Sequence, residues 1–281
     1  MSESHKDKGD FILRGVKKPS PLGTTLLVGL RALDPFLQYA ILGRRIAAHL
    51  IHRSGGSIAQ PNASLITNTI LDRLELSPHA FILLSMSVGS SLKQIIWATF
   101  TSQETIPVSS AIAISVYNTL LNSINTLLFV CEQTSLQDNH TYSGRSGLFL
   151  GIGLYTVGII AELTAEIQRK VFKQSPANNG KVYEGGMFTL ARHINYGGYI
   201  LWRSGFALAS AGWIFGLLSW AFFFYDFAMR GVPVLDKYCQ GRVSHVKSLK
   251  EVLPTDVTAQ YGQQWIEFKK KVPYALIPIV Y

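Results

Sequence analysis

Long apolar runs separated by short polar segments dominate the pattern of this chain. Apolar runs occur at 24–51, 80–101, 109–131, 147–168, 196–211 and 213–229. A membrane-spanning helix needs about 20 mainly apolar residues, so we predict an all-α integral membrane protein with about six transmembrane helices, within a range of five to seven.

Two of these predicted spans leave alternatives open. The first is interrupted by Arg31, Asp34 and Arg44, so a tilted or partly interfacial helix is an alternative to a full crossing. Little more than Ala211 to Trp213 separates the last two, so one long bent helix is an alternative to a tight pair of helices.

The composition favours a membrane protein over a soluble one. Of the 281 residues, 48% are hydrophobic and 15% are charged, whereas soluble domains have roughly 25% charged residues. The two cysteines, Cys131 and Cys239, have neither metal-binding nor redox spacing. We therefore expect no metal site.

Lysine and arginine are distributed unevenly between the two sides of the predicted bundle. Segments 1–20, 102–108, 169–195 and the tail from 230 together carry 18 of them, whereas loops 52–79 and 132–146 carry three. Positive residues favour the cytosol, so the N-terminus, the 169–195 loop and the tail are predicted to be cytosolic. The net charge of +9 is therefore explained by the orientation of the protein in a lipid bilayer, and no nucleic-acid partner is expected.

The most informative polar groups lie within 160–204. Glu162 and Glu166 share one helical face, because they are four residues apart. A lone charge inside a span costs about 2.5–3.5 kcal/mol on insertion scales, so Glu162 needs a partner. One interpretation is a structural ion pair with Arg192, Arg203 or Lys93. The other is a polar wall that orients a cofactor.

Two short motifs follow this predicted helix. Pro176-Ala177-Asn178-Asn179-Gly180-Lys181 contains a turn signal and a lysine suited to phosphate. Arg192-His193-Ile194-Asn195-Tyr196-Gly197 supplies an arginine fork, a histidine that titrates near neutral pH, an amide and an aromatic ring.

Together these segments resemble the steroid 5-alpha-reductase and sterol-reductase superfamily, to which isoprenylcysteine carboxyl methyltransferase is related. The superfamily patterns P-A-N-x-G-x-[FY] and R-H-P-N-Y-x-G-[DE] match the two motifs with three differences. The aromatic Tyr183 comes one position late, Ile194 replaces the proline, and Tyr199 replaces the acid. Later segments, GVPVLDK at 231–237 and YGQQW at 261–265, also match. The resemblance covers 147–242 and resumes at 261–281.

The resemblance implies an endoplasmic-reticulum reductase that uses NADPH on a C=C bond of a sterol, terpenoid or other lipophilic substrate. It also implies a cofactor pocket on the cytosolic side. The residues expected to bind the cofactor are Glu162, Glu166, Lys170, Asn179, Lys181, Arg192, His193, Asn195, Tyr196 and Arg203.

One departure from the superfamily pattern keeps two further functions open. Tyr199 stands where the reductases have an acid that helps to hold nicotinamide. An aromatic residue there is typical of the methyltransferase branch, which favours S-adenosylmethionine and a lipophilic or prenylated substrate. That branch has a glutamate-rich tail motif, which is absent between 230 and 270. A non-catalytic membrane protein that retains the fold is the third interpretation.

The substrate is expected to enter from the bilayer. Lys93, Asn118 and Asn122 are the candidate substrate-binding residues, and Tyr117 is the candidate proton donor. Asn118, Asn122 and Asn125 share one helical face, so interhelical hydrogen bonds worth about 0.6 kcal/mol each are the alternative.

The chain is predicted to be a polar leader, 1–20, followed by one membrane domain, 21–281. Residues 243–260 interrupt the superfamily pattern. They are either a cytosolic insertion or a retained intron, because Val-Ser and Gln at their ends are compatible with intron boundaries.

Overall fold

The computed structural model describes residues 17–60, 62–136, 142–240 and 255–281, without the side chains of 142–144 and 255–259. Most of the predicted leader and residues 243–254 of the candidate insertion lie outside this range. The division at 243–260 therefore stays a prediction.

The described part of the chain is helical and has no strand beyond an isolated bridge between Ile58 and Cys131. Its α-helices are α1 Pro21–Leu42, α2 Ala48–Arg53, α3 Pro78–Ile96, α4 Val108–Val130, α5 Tyr142–Gln174, α6 Ile194–Asp226, α7 Val232–Cys239 and α8 Thr255–Lys271. π-Helical turns Trp97–Thr101 and Phe227–Gly231 extend α3 and join α6 to α7. Short 3₁₀ turns form at Ile70–Leu74, Pro176–Asn178 and Gly186–Thr189.

Five helices are long and apolar enough to cross a membrane: Pro21–Leu42, Pro78–Thr101, Val108–Val130, Arg145–Gln174 and Ile194–Cys239. The predicted all-α integral membrane fold is thus confirmed. The first span is shorter than predicted, because α1 ends at Leu42 and Arg45 then adopts a left-handed φ of 52°. Arg31 and Asp34 remain inside α1 because they pair with each other at 3.0 Å.

The last apolar stretch reverses direction at Gly212. This residue has φ 82° and ψ −169°, which interrupt the helical backbone of α6. Residues eight positions apart in a continuous helix are separated by about 12 Å, but a Cβ on Gly216 would lie 2.8 Å from the Cβ of Leu208. Tyr196 and Phe227 also stack at 4.6 Å. The predicted segments 196–211 and 213–229 therefore form a helical hairpin.

A seam of glycines joins α5 to the first half of α6. Gly151 and Gly158 on α5 face Gly205 and Gly198 on α6, and a Cβ on Gly158 would lie 2.6 Å from the Gly198 carbonyl oxygen. Small residues allow such close backbone contact between membrane helices. The seam holds the carboxylates of α5 against α6.

The connecting segments collect on two sides of the bundle. On one side, the Lys18 amide donates to Thr105 Oγ1 at 3.0 Å, and the Arg192 amide donates to the Tyr274 carbonyl oxygen at 3.0 Å. Lys170 Nζ, 3.2 Å from the centroid of the Phe100 ring, joins the end of α5, which leads to Arg192, to the turn after α3, which leads to Thr105. We call this the motif side. On the other, the Ile58–Cys131 bridge joins two loops. This grouping agrees with the predicted topology, and the cytosolic location of the motif side stays a prediction.

Candidate functional site

A buried ionic triad lies between α3 and α5. Lys93 Nζ contacts Glu162 directly and lies 3.4 Å from Glu166. All three residues are buried. Trp202 of α6 donates from Nε1 to Glu162 Oε2 at 2.6 Å, and Thr101 donates to Glu166 Oε2 at 3.5 Å. With both carboxylates ionised, the triad carries one net negative charge.

The triad resolves one alternative left by the sequence. Lys93, predicted on the substrate side, is the partner of Glu162, whereas Arg192 and Arg203 are not. Trp202 did not emerge as a site residue from the sequence. The available signal was its position directly before Arg203, within a predicted span.

A second buried polar cluster surrounds Arg203. Its Nε donates to the Tyr199 hydroxyl at 3.1 Å, and Nη1 donates to Asn122 Oδ1 at 2.9 Å. Its Nη2 donates to Asn118 Oδ1, which also accepts from Gln94. Arg203 therefore lies with the predicted substrate-binding asparagines and not with the motif residues.

The cluster continues into α1 through Asp34. This carboxylate accepts from Asn122 Nδ2 at 2.6 Å, from Arg31 at 3.0 Å and from Gln38 at 2.8 Å. These side chains are buried. Asn122 thus links Asp34 of α1 with Arg203 of α6, which supports the interhelical role considered for the α4 asparagines.

Trp202 connects the two clusters. The guanidinium of Arg203 lies 4.2 Å from the centroid of the Trp202 ring, and the indole N–H of the same ring bonds to Glu162. The Arg31, Asp34 and Arg203 cluster has one net positive charge, opposite in sign to that of the triad, but no ion pair between described residues joins the two clusters. Two buried clusters of opposite net charge therefore lie next to each other, with the Trp202 ring between them.

The Arg192-His193 motif binds the C-terminal segment. Arg192 Nη1 donates to the carbonyl oxygens of Val272 and Pro273, at 2.7 Å each, and its buried Nε has no partner among the described residues. His193 Nε2 lies 3.3 Å from Asp236 Oδ1. Burial lowers the pKa of His193, although its hydrogen bond to Asp236 opposes the shift.

Asn195 and Tyr196 follow at the start of α6. Asn195 is buried, and its amide makes no hydrogen bond to any residue that the structure describes. The Tyr196 ring stacks between His193, at 5.6 Å, and Phe227, at 4.6 Å. The motif therefore offers a donor in Arg192 and an amide in Asn195 for a ligand.

Three other predicted cofactor residues lie apart from the carboxylates. Lys170 Nζ lies 3.2 Å from the centroid of the Phe100 ring. Asn179 and Lys181 are exposed on the loop after α5, where the Lys181 carbonyl oxygen accepts from Lys173 at 2.7 Å. They belong to the motif side, and no side-chain hydrogen bond or ion pair joins them to Glu162 or Glu166 in the described structure.

Tyr117, the predicted proton donor, makes no hydrogen bond to the described residues of the polar clusters. Its side chain is 44% exposed on α4, and it makes no hydrogen bond to a described residue. Asn118, next to it, points inward and is buried. The side chains of Tyr117 and Asn118 therefore point in different directions from α4, and only Asn118 takes part in the buried hydrogen bonds.

Taken together, the fold and these clusters define a helical membrane protein with paired charges in its interior and a motif loop on one side. Comparison with known proteins identifies the family. Residues 98–243 match a family described as "Protein of unknown function (DUF1295)". This match covers more than half of the chain, which therefore belongs to that family.

A curated relative adds information on activity. The chain is 40% identical over 240 residues to a "Probable O-methyltransferase ustE" of Ustilaginoidea virens, and the match covers 84% of each chain. No solved structure matches the chain.

This relative overturns the main functional prediction. The expected NADPH-dependent reduction of a C=C bond is wrong, because the relative is named as a methyltransferase and not as an oxidoreductase. The role of Tyr117 as proton donor in that reduction is withdrawn with it. NADPH was predicted as the cofactor of that reaction, and no observation tests it.

Proposed function

We propose that this protein is an S-adenosylmethionine-dependent O-methyltransferase that acts on a lipophilic substrate within the endoplasmic-reticulum membrane. The observation that carries the proposal is the relative named as a probable O-methyltransferase, 40% identical over 84% of the chain. Tyr199, in place of the acid of the reductases, agrees with this assignment. We place the family with the methyltransferase branch of the superfamily that the motifs resemble.

Residues on the motif side and in the triad fit the charges of S-adenosylmethionine, which has two cationic groups and a carboxylate. Glu166 receives only long contacts, at 3.4 Å from Lys93 and 3.5 Å from Thr101, so its lone pairs remain open to a cation. Arg192 Nε is buried without a partner among the described residues and suits a carboxylate. These residues and Asn195 would hold the cofactor.

When bound, S-adenosylmethionine supplies a methyl group to an acceptor oxygen, and the O–CH₃ bond forms as the S–CH₃ bond breaks and leaves its electron pair on sulfur. The protein contributes position and charge. Glu162 is fixed by Lys93 and Trp202, so the triad has one defined geometry before any ligand binds. Preorganised charge of this kind requires little rearrangement during reaction.

The proposal is tested with purified protein in nanodiscs, S-adenosylmethionine labelled in its methyl group, and lipid extract from the source cells. We expect label in the organic phase, reduced at least tenfold in Glu166→Gln and unchanged in Arg53→Gln, which alters an exposed arginine on the opposite side. Mild alkali then distinguishes methyl esters, which release labelled methanol, from stable methyl ethers. No enzyme-dependent label in lipid from any extract would contradict the proposal.

A further inference from the structure

A groove between α4 and the second half of α6 opens toward the bilayer. It has a volume of about 190 Å³, and its walls are mainly apolar side chains, among them Leu121, Ile124, Leu218 and Phe222. Three of these are substantially exposed: Ile124 is 43%, Leu218 61% and Phe222 57% accessible. Because they belong to membrane-crossing helices, the groove is accessible to lipid-soluble molecules.

Arg203 is the charged residue of this groove. A guanidinium has five N–H donors. Three are used, by Tyr199, Asn122 and Asn118. One N–H therefore remains on each terminal nitrogen, and two such donors match the two oxygens of a carboxylate.

Arg203 also lacks a carboxylate partner within the described structure, in contrast to the other buried cations. Arg31 pairs with Asp34, and Lys93 pairs with Glu162 and Glu166. The partners of Arg203 are neutral oxygens and two aromatic rings. A buried charge in a bilayer is costly without a counter-charge, and an anionic ligand would supply one.

We propose that Arg203 is the receptor for the carboxylate of a lipophilic acid whose apolar chain occupies this groove. The inference rests on the proposed function and names the class of its acceptor as a carboxylic acid that is converted to a methyl ester. A carboxylate is already ionised at neutral pH. No protein base is then needed, which agrees with the lack of a hydrogen bond between Tyr117 and the described residues of the cluster.

The test uses a palmitic acid carrying a diazirine in its chain as the probe, with the methyl ester of the same molecule as the uncharged control. The protein is held in nanodiscs, irradiated and digested, and crosslinks are located by mass spectrometry. We expect the acid to label segments 121–125 and 215–223, with competition by unlabelled palmitate. We expect the ester to label them at least tenfold less.

Variants separate the charge from the shape of the groove. Arg203→Gln removes the receptor, and Ile124→Trp fills the groove while leaving Arg203 in place. Both are expected to reduce acid labelling at least tenfold. Arg230→Gln, which changes an exposed arginine paired with Asp226, is expected to label as wild type. Because the acid–ester comparison uses wild type alone, misfolding of Arg203→Gln would not obscure the result.

Equal labelling by acid and ester in the wild type would overturn the proposal. So would undiminished acid labelling in a folded Arg203→Gln protein. Acid-selective labelling without methyl transfer would support the Arg203 site and count against the proposed function alone. Methyl transfer to lipid without acid-selective labelling would support the proposed function and count against the Arg203 site alone.

Discussion

At the scale of single residues, charge is kept inside this bundle by local pairing. The triad is asymmetric, because one lysine serves two carboxylates. Removing the lysine leaves two buried negative groups facing each other. Removing one carboxylate leaves one lysine paired with one glutamate, so the charges cancel.

This asymmetry predicts an order of stability. Lys93→Met is expected to lower the free energy of unfolding by about 3–5 kcal/mol, because it breaks a buried ionic pair. Glu162→Gln is expected to lower it by about 1–3 kcal/mol, because Lys93 retains Glu166 and the glutamine oxygen can still accept from Trp202. Thermal unfolding in detergent measures both. A Glu162→Gln variant less stable than Lys93→Met would contradict the charge balance.

His193 predicts a dependence of stability on pH. Burial lowers its pKa in the folded protein, so between that value and the unfolded value near 6.5 only the unfolded chain binds the proton. The contribution of neutral His193 to the free energy of unfolding is therefore fully present above about pH 6.5. Below that pH it decreases, by at most about 1.4 kcal/mol per pH unit. His193→Gln should remove this component. A variant with the same loss of melting temperature between pH 7.5 and 5.5 as wild type would refute it.

Sequence reasoning identified the chemistry of individual residues better than their partners. The need of Glu162 for a cation followed from its position in a span, and Lys93 was one of the candidates. The resemblance to the reductase superfamily assigned Arg203 to the cofactor, but the direction of its side chain on α6 places it with Asn118 and Asn122. Such directions depend on packing between helices distant in sequence.

At the scale of elements, the α5–α6 seam sets the position of the carboxylates. A Cβ on Gly198 would lie 2.8 Å from the Glu162 backbone nitrogen, so these helices touch beside the triad. The hairpin at Gly212 then returns the chain beside Tyr196 and Tyr199. The helices and their order were predictable from apolar length, whereas the seam was not, because it depends on which glycines face each other.

The seam predicts opposite outcomes for two glycines of α5. Gly158→Leu is expected to destabilise the protein by about 1–3 kcal/mol or more, because the larger side chain forces the helices apart. Gly153→Leu is the matched control, since a Cβ there meets nothing within 4 Å, and its effect should stay within about 0.5 kcal/mol. Melting temperatures in detergent measure both effects. Similar melting temperatures for the two variants would contradict close packing of α5 against α6 at Gly158.

At the scale of the whole molecule, the side of the membrane on which the motif lies determines access to a water-soluble cofactor. The grouping of segments on two sides was predictable from span count and charge. The end of α1 at Leu42 was not, because the turn at Gly43 to Arg45 lies within an otherwise apolar stretch.

Orientation is tested with single cysteines in a Cys131→Ala, Cys239→Ala background. Ser175→Cys lies on the motif side and Ser54→Cys on the opposite side, and both positions are exposed. In sealed microsomes with the cytosolic face outward, an impermeant maleimide should label position 175 at once and position 54 only after permeabilisation. The reverse pattern would mean that the charge asymmetry was misinterpreted.

The central claim is that the triad and the motif side bind S-adenosylmethionine, and thermal stabilisation of the purified protein tests it most directly. At 100 times the dissociation constant, a ligand specific for the folded state adds about 2.7 kcal/mol. We predict this stabilisation with S-adenosylmethionine, its reduction in Glu166→Gln and Arg192→Gln, and its retention in Arg53→Gln. Stabilisation by NADPH alone, or by neither ligand, would contradict the account.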